Sequence, residues 1–360
     1  MIANSGEYRK KNGQRGYVMM NNFIFENKTK VYFGKGGVKE YLGGLLANFG
    51  ETVMLAYGGG SIKCNGVYDE IMGILNAQGK CVVEFSGIMS NPTYAKVQDG
   101  AKLAHENHVD LILAVGGGSV SDCCKVISAQ ANLNEDIWEM QYTKHTLPTK
   151  FIPLGTIVTV FGTGSEMNNG AVITHEEKKI KGALWGAQAE FAFLGPAYSL
   201  SVPMQQVISG AFDTLSHAME TYFGKPDENN LSDDINEAAM AENGVLKIGK
   251  VTDFQAHQIQ HQLGAYTNCN HGAGLAVIHP VLYRHIYKSG AARFARFAQN
   301  VWASHPRAVT GKPPPVSTRW PRLLRKSVCR PALQSLAFPP TPTSAPWRIL
   351  PTSPLAAARS

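Results

Sequence analysis

Short apolar runs recur along the first half of the chain, each leading through a turn into a stretch of helical periodicity. "TVMLAY" (52–57) ends in Gly58, Gly59, Gly60 and Ser61 and leads into "NGVYDEIMGILNAQG". "VDLILAV" (109–115) runs straight into "GGGSVSDCCKVISA". The same alternation joins "FIFENKTKVYF" to "VKEYLGGLLANFG" and "CVVEFSGIMSNP" to "TYAKVQDGAKLAHENH", and a further apolar run, "FIPLGTIVTV", precedes "FGTGSEMNNGAVIT". Apolar runs alternating with helical stretches predict parallel strands crossed by helices on both faces of a sheet. From about Pro196 the strand signals fade and segments such as "QQVISGAFDTLSHAMETYFG" take over. The expected fold class is α/β: a doubly wound parallel-sheet nucleotide-binding domain over 20–195, then an all-helical domain over 196–302. Residues 1–19 read as an upstream extension.

The texture breaks after Trp302. Twelve of the 19 prolines fall in the last 58 residues, together with nine Lys or Arg and no Asp or Glu. Proline at that density disfavours helix, sheet and core alike, so 303–360 is expected to be a disordered, basic tail. The formal charge of +7 is located there: the first 302 residues hold 25 basic and 27 acidic residues, a net of −2. The charge therefore gives no reason to expect a nucleic-acid partner. No apolar run approaches the roughly 18 residues of a membrane span, and the N-terminus lacks the apolar core of an export signal. Six cysteines without framework spacing fit a reducing compartment. A cytoplasmic protein with no membrane partner is expected.

Two glycine loops carry the first chemistry. Gly58, Gly59, Gly60 and Ser61, and Gly116, Gly117, Gly118 and Ser119, each close an apolar run and open a helical one. Glycines there let backbone N–H groups approach an anion, and a helix N-terminus favours phosphate. Neither loop is a GxGxxG fingerprint or a P-loop. No carboxylate directly follows the first loop to bind ribose hydroxyls, whereas "SIKCNG" offers Ser61, Lys63 and Asn65. That pattern leans toward NADP(H) over NAD(H).

Histidine carries the second chemistry. Three of only 11 histidines crowd into "FQAHQIQHQLGAYTNCNHG" (254–272). His257 and His261 are four apart, as are Asp213 and His217, so each pair projects from one helical face, and His271 follows a short loop later. One carboxylate and several imidazoles suit iron or zinc in the divalent state.

Taken in order, GGGS, "GGGSVSDCCK", "GTGSEMN", Asp213-x-x-x-His217 and "HQIQHQLGAYTNCNHG" resemble the iron-containing (group III) alcohol dehydrogenases, most nearly their butanol-dehydrogenase-like branch. The resemblance runs from about Met20 to Trp302. It implies a dehydroquinate-synthase-like architecture with the metal in the helical domain. It also implies hydride transfer between NAD(P)(H) and a small primary alcohol or aldehyde, and a homodimer. By the same resemblance Asp213, His217, His257 and His271 match the metal ligands, and His261 matches a catalytic histidine near substrate and nicotinamide. The cofactor positions matched are Gly58 to Ser61, Gly116 to Ser119, Asp122, Thr159, Asn168 and Lys181, to which the reading of "SIKCNG" adds Asn65. Cys64 departs from the pattern, since similar sequences carry Arg or Lys there.

Two larger departures stand out. The interval between His217 and His257 is shorter than in similar sequences, with an apparent junction around Met240 and Ala241. After Trp302 the resemblance stops, as if the reading frame had shifted. These departures predict reduced activity and stability. They also keep a second reading open: a non-catalytic remnant that retains only nucleotide binding.

Overall fold

The computed structural model describes residues 26–226, 250–251, 254–286, 289–291, 293–294 and 297, with a two-strand pair at 8–9 and 15–16. The junction at Met240 and the 303–360 tail lie outside the described residues, as does most of the 1–19 extension. The strands that build the α/β part are β1 (Lys30–Phe33), β2 (Thr52–Tyr57), β3 (Cys81–Phe85), β4 (Leu111–Gly116), β5 (Leu154–Val158), β6 (Gly170–His175), β7 (Ile180–Trp185) and β8 (Phe191–Leu194). The helices are α1 (Gly37–Leu46), α2 (Ser61–Cys64), α3 (Val67–Ala77), α4 (Tyr94–Glu106), α5 (Gly118–Gln130), α6 (Ile137–Tyr142), α7 (Met204–Tyr222), α8 (Gln255–Thr267) and α9 (His271–Ile286).

Six strands make one sheet, parallel throughout, in the order β1-β8-β5-β4-β2-β3. Its central strands are apolar end to end because both faces are covered. Val53, Leu55 and Tyr57 of β2 point into one core with Leu42 of α1 and Ile71 of α3. Met54 and Ala56 of the same strand point into the other core, with Val97 of α4 and Val126 and Ile127 of α5. This is the doubly wound α/β sheet that the apolar runs predicted.

Strand order also sets where a ligand can lie. β2 has β3 on one side and β4 on the other, so the chain leaves β2 in one direction and returns on its opposite side. A crevice opens at such a switch point, beyond the carboxyl ends of the two strands. Those ends carry Gly58 to Ser61 and Gly116 to Ser119.

Two features go beyond the sequence pattern. β6 and β7 form an antiparallel hairpin outside the main sheet. The alternating burial of β6 explains it, since one face packs on α5 and the other is partly open. In the helical part, Lys225–Pro226 pairs with Lys250–Val251, a short strand pair within an otherwise helical run.

The helices α7, α8 and α9 share a third core that includes Phe212, Met219, Tyr222, Ala256 and Leu275. α7 docks on the loop after β5 at bare backbone. A Cβ at Gly210 would lie 2.2 Å from the Phe161 carbonyl oxygen, and the Thr214 hydroxyl donates to the Gly162 carbonyl at 2.7 Å. Gly210→Ala forces this contact apart. The expected loss is about 1–3 kcal/mol, the usual range for overpacking, measured by urea unfolding followed by circular dichroism.

Candidate active site

At the mouth of the crevice, Gly60 begins α2 with a φ of 100°, in the left-handed region where glycine is favoured. Gly117 sits at the start of α5, whose first N–H groups have no partner within the helix. Both loops line one cleft with Asp122, Thr159, Lys181, Asp213 and His271. The cleft thus spans the sheet and the start of the helical part.

Not every expected cofactor residue faces it. Asn65 donates to Ser201 Oγ at 3.1 Å and accepts from the Val67 amide. Asn168 accepts from Lys125 Nζ at 3.0 Å and from the Gly170 amide. Neither lines the cleft, and both are engaged in holding the chain's own turns. Asp122 lines it but is also bound internally, accepting from Ser165 Oγ at 2.5 Å and from the Val172 amide at 2.9 Å. Burial pushes its carboxyl up from the usual range, against the pull of Lys125.

Lys181, on β7, is buried and donates to Asn91 Oδ1 at 2.8 Å. Asn91 in turn donates to Asn268 Oδ1 at 2.6 Å in the α8–α9 loop. Burial lowers the Lys181 ammonium to about 8. Sequence reading missed Asn91, whose only signal was the "SNP" turn after β3.

Deeper in the same region, side chains from three helices converge. Asp213 and His217 project from α7, His257 and His261 from α8, and His271 opens α9. One ligand atom from each of Asp213, His217 and His257 lies within 4.8 Å of the others. Asp213 Oδ1 is 3.6 Å from His257 Nε2 and 3.4 Å from His271 Nε2. These are too long for hydrogen bonds. They equal the roughly 3.3–3.6 Å that separates two ligand atoms bound tetrahedrally at about 2.0–2.2 Å from one ion. Asp213 Oδ1 and His257 Nε2 are also buried without a hydrogen-bond partner among the described residues, a state that needs an explanation in a native core.

The remaining ring nitrogens are occupied. His217 Nδ1 donates to the Asp213 backbone carbonyl at 2.9 Å, His257 Nδ1 to the Glu220 carboxylate, and His271 Nδ1 to Gln260 Oε1. In a neutral ring each bond leaves the Nε2 lone pair free, as in rings that bind metal. In His257 burial opposes the charge, but the Asp213 and Glu220 carboxylates outweigh it and raise the pKa to about 9, so a metal bound there displaces a proton. Burial opposes ionisation of Asp213, but His271, His217 and His257 around it hold its carboxyl well below the ordinary range. An ionised oxygen and free imidazole nitrogens in a buried setting fit a divalent metal.

His261 is set apart. Its ring lies 5.7 Å from that of His271 and 6.2 Å from that of His257, centroid to centroid. Its Nδ1 is buried without a hydrogen-bond partner among the described residues. Burial, with the charge of Lys181 adding, holds its pKa well below the ordinary 6.5, so the ring is neutral.

The iron-containing alcohol dehydrogenase family model matches residues 28–196. A probable NADH-dependent butanol dehydrogenase 1 of Bacillus subtilis (strain 168) is 36% identical over 315 residues, covering 79% of this chain and 81% of that protein. The chain belongs to the iron-containing alcohol dehydrogenase family. Another relative is the NADPH-dependent aldehyde reductase YqhD of Escherichia coli (strain K12), 33% identical over 319 residues and covering 79% of this chain and 81% of that protein. The crystal structure of an NADH-dependent butanol dehydrogenase A from Thermotoga maritima superposes with a TM-score of 0.80. It is 30% identical and covers 89% of this chain and 88% of that one. The family assignment makes the chain an alcohol dehydrogenase with nicotinamide-dependent relatives.

Glu220 and Gln260 escaped the sequence reading. Glu220 had a usable signal, since in "DTLSHAME" it stands seven residues after Asp213, on the same helical face. Asp213→Asn keeps the volume and removes the charge. The expected result is at least about tenfold weaker Zn²⁺ binding with NADH binding unchanged, read by chelator competition and by NADH fluorescence.

Proposed function

We propose that this alcohol dehydrogenase transfers a hydride between NAD(P)(H) and a small primary alcohol or aldehyde, butanol-like, with divalent iron or zinc held by Asp213, His217, His257 and His271. One observation carries the reading: at the cleft that both glycine loops line stands a buried Asp213 oxygen without a hydrogen-bond partner among the described residues, with His271 Nε2 at 3.4 Å and His257 Nε2 behind it at 3.6 Å. The activities of the relatives, butanol dehydrogenation and aldehyde reduction, support the substrate class.

When bound, the metal supplies Lewis acidity toward the substrate oxygen and the nicotinamide supplies or accepts the hydride. The chain's residues do the rest. Amides of the Gly116–Ser119 loop and the start of α5 hold the diphosphate. Asp213 brings negative charge to offset a dication away from water. The neutral His261 ring accepts the alcohol proton in oxidation and returns it in reduction. A cytoplasmic homodimer belongs to this reading. Among the described residues, no helix is long and apolar enough to cross a membrane.

Butyraldehyde reduction tests it. NAD(P)H oxidation should be lost on stripping the metal with a chelator and restored by Fe²⁺ or Zn²⁺. His261→Ala should lower kcat while metal content is unchanged. A chain that binds NADH but takes up no metal and reduces no aldehyde is the nucleotide-binding remnant instead.

The cofactor preference turns on Lys63. Its ammonium lies 3.3 Å from Glu84 Oε2, while the Tyr57 and Tyr68 hydroxyls each donate to the same carboxylate at 2.6 Å. The charge that favoured NADP(H) thus has an acidic neighbour beside the first glycine loop. We infer that both cofactors are accepted and that Glu84 holds NADPH back. Glu84→Gln should raise kcat/KM for NADPH severalfold relative to NADH, measured with both cofactors on one aldehyde.

A further inference from the structure

Asp213, His217 and Glu220 stand at i, i+4 and i+7 on α7, one face of one helix. The first two belong to the proposed metal site. Glu220 does not reach that site, yet it is buried as Asp213 is, 8% exposed within the α7–α9 core. Its helical neighbours Met219 and Tyr222 pack in the apolar cluster. No lysine or arginine among the described residues pairs with it, and a buried carboxylate in that position is costly unless its oxygens are otherwise satisfied.

Both oxygens are engaged. Oε1 accepts the Ala256 backbone N–H at 2.6 Å, and Oε2 accepts His257 Nδ1. Ala256 is in the first turn of α8, where helix amides lack partners within the helix. The residue preceding that helix, Phe254, supplies no side-chain cap and enters it with a φ of 50°. One oxygen of Glu220 therefore caps α8 in place of a local side chain. Capping needs only that oxygen. The other fixes the tautomer and plane of the one imidazole whose Nε2 lies 3.6 Å from Asp213 Oδ1 with no hydrogen-bond partner among the described residues.

We propose that Glu220 is a positioning residue of the metal site: its carboxylate holds His257 by Nδ1, so that Nε2 is presented as a ligand, and anchors the start of α8 that carries this histidine. This deepens the metal-dependent reading above and rests on it. A carboxylate behind a ligand histidine fixes the ring and raises its basicity as a ligand. Glu220 and His257 come from different helices, so this one bond also couples the α7 ligands to the α8 ligand. The neutral amide of Gln260 behind His271 does the same without charge.

The test uses the full-length protein, stripped and reloaded. Zn²⁺ affinity is measured by competition with a chromophoric chelator, the site geometry by the visible spectrum of bound Co²⁺, and the glycine loops by NADH fluorescence. Glu220→Ala is expected to weaken Zn²⁺ binding by about 10- to 100-fold and to alter the Co²⁺ spectrum, with NADH affinity within about twofold of wild type. Glu220→Gln keeps the volume and one acceptor oxygen but turns an NH₂ toward a donor, so its Zn²⁺ affinity should fall between the two. It carries the test if the alanine variant does not fold. In His257→Ala, adding Glu220→Ala should change Zn²⁺ affinity no further, because the carboxylate acts through that ring. Wild-type Zn²⁺ affinity and Co²⁺ spectrum in Glu220→Gln overturn the role of Glu220, as does additivity in the double variant. Wild-type protein without Zn²⁺ affinity, or His257→Ala with full affinity, overturns the metal reading itself.

Discussion

A buried carboxylate oxygen that no hydrogen of the described residues satisfies is the constraint around which the helical part of this molecule is arranged. Leaving Asp213 Oδ1 unpartnered inside a core is unfavourable by about 1–3 kcal/mol or more, and His257 Nε2 repeats the problem 3.6 Å away. Neither is relieved by repacking, since the second nitrogen of every neighbouring ligand ring is already committed to a backbone carbonyl, Glu220 or Gln260. The chain holds an unfavourable set of lone pairs in place with a favourable set of hydrogen bonds behind them. Such an arrangement makes physical sense if a cation completes the first set.

The α/β part answers a separate constraint with separate means. Its glycine loops stand at the carboxyl ends of β2 and β4, where strand order alone opens a crevice. Behind them Lys125 is fully buried and donates to Ser165, Asn168 and the Gly170 carbonyl, while Asp122 holds Ser165 and the Val172 amide. This polar network ties α5 to the β6–β7 hairpin and so fixes the helix whose N-terminus closes the second loop. Burial lowers Lys125 to about 8, a sign that its charge is expensive in this place, and the nearby carboxylates of Asp122 and Glu166 work against that loss.

Much of this was legible in the sequence, and the boundary of legibility is physical. The strands β2, β4 and β5 could be read because burial on both faces demands uninterrupted apolar runs. The convergence of Asp213, His217, His257 and His271 was foreshadowed by spacing within helices, and the resemblance joined the two pairs. What spacing cannot show is which atom lies behind each ring. Glu220 and His257 are 37 residues apart, and no local pattern pairs them. Asn65 and Asn168 show the converse: motif positions near the loops whose side chains are engaged by Ser201 and Lys125 and by the amides of Val67 and Gly170. The hairpin was missed because alternating burial in "GAVITH" is a weak signal beside the apolar runs around it, and the pairing of β1 with β8 joins strands from opposite ends of the α/β part.

The proposed metal ligands and cofactor loops come from different cores, so the distance between them depends on how closely α7 and α9 approach the sheet. Glycine sets that distance. Gly210 brings the α7 backbone against the carbonyl of Phe161, just after β5, and Gly272 brings the start of α9 against the Ser209 carbonyl, where an added Cβ would lie 2.2 Å from the oxygen. One of these glycines is three residues before Asp213 and the other directly follows His271. With no side chain between the backbones there is no closer packing to relax into, so main-chain contact fixes Asp213 relative to the loop after β5, and His271 relative to α7. Hydride transfer requires donor and acceptor carbons to be placed within fractions of an ångström. In an enzyme of this family that placement rests here on backbone contacts made possible by the absence of two side chains.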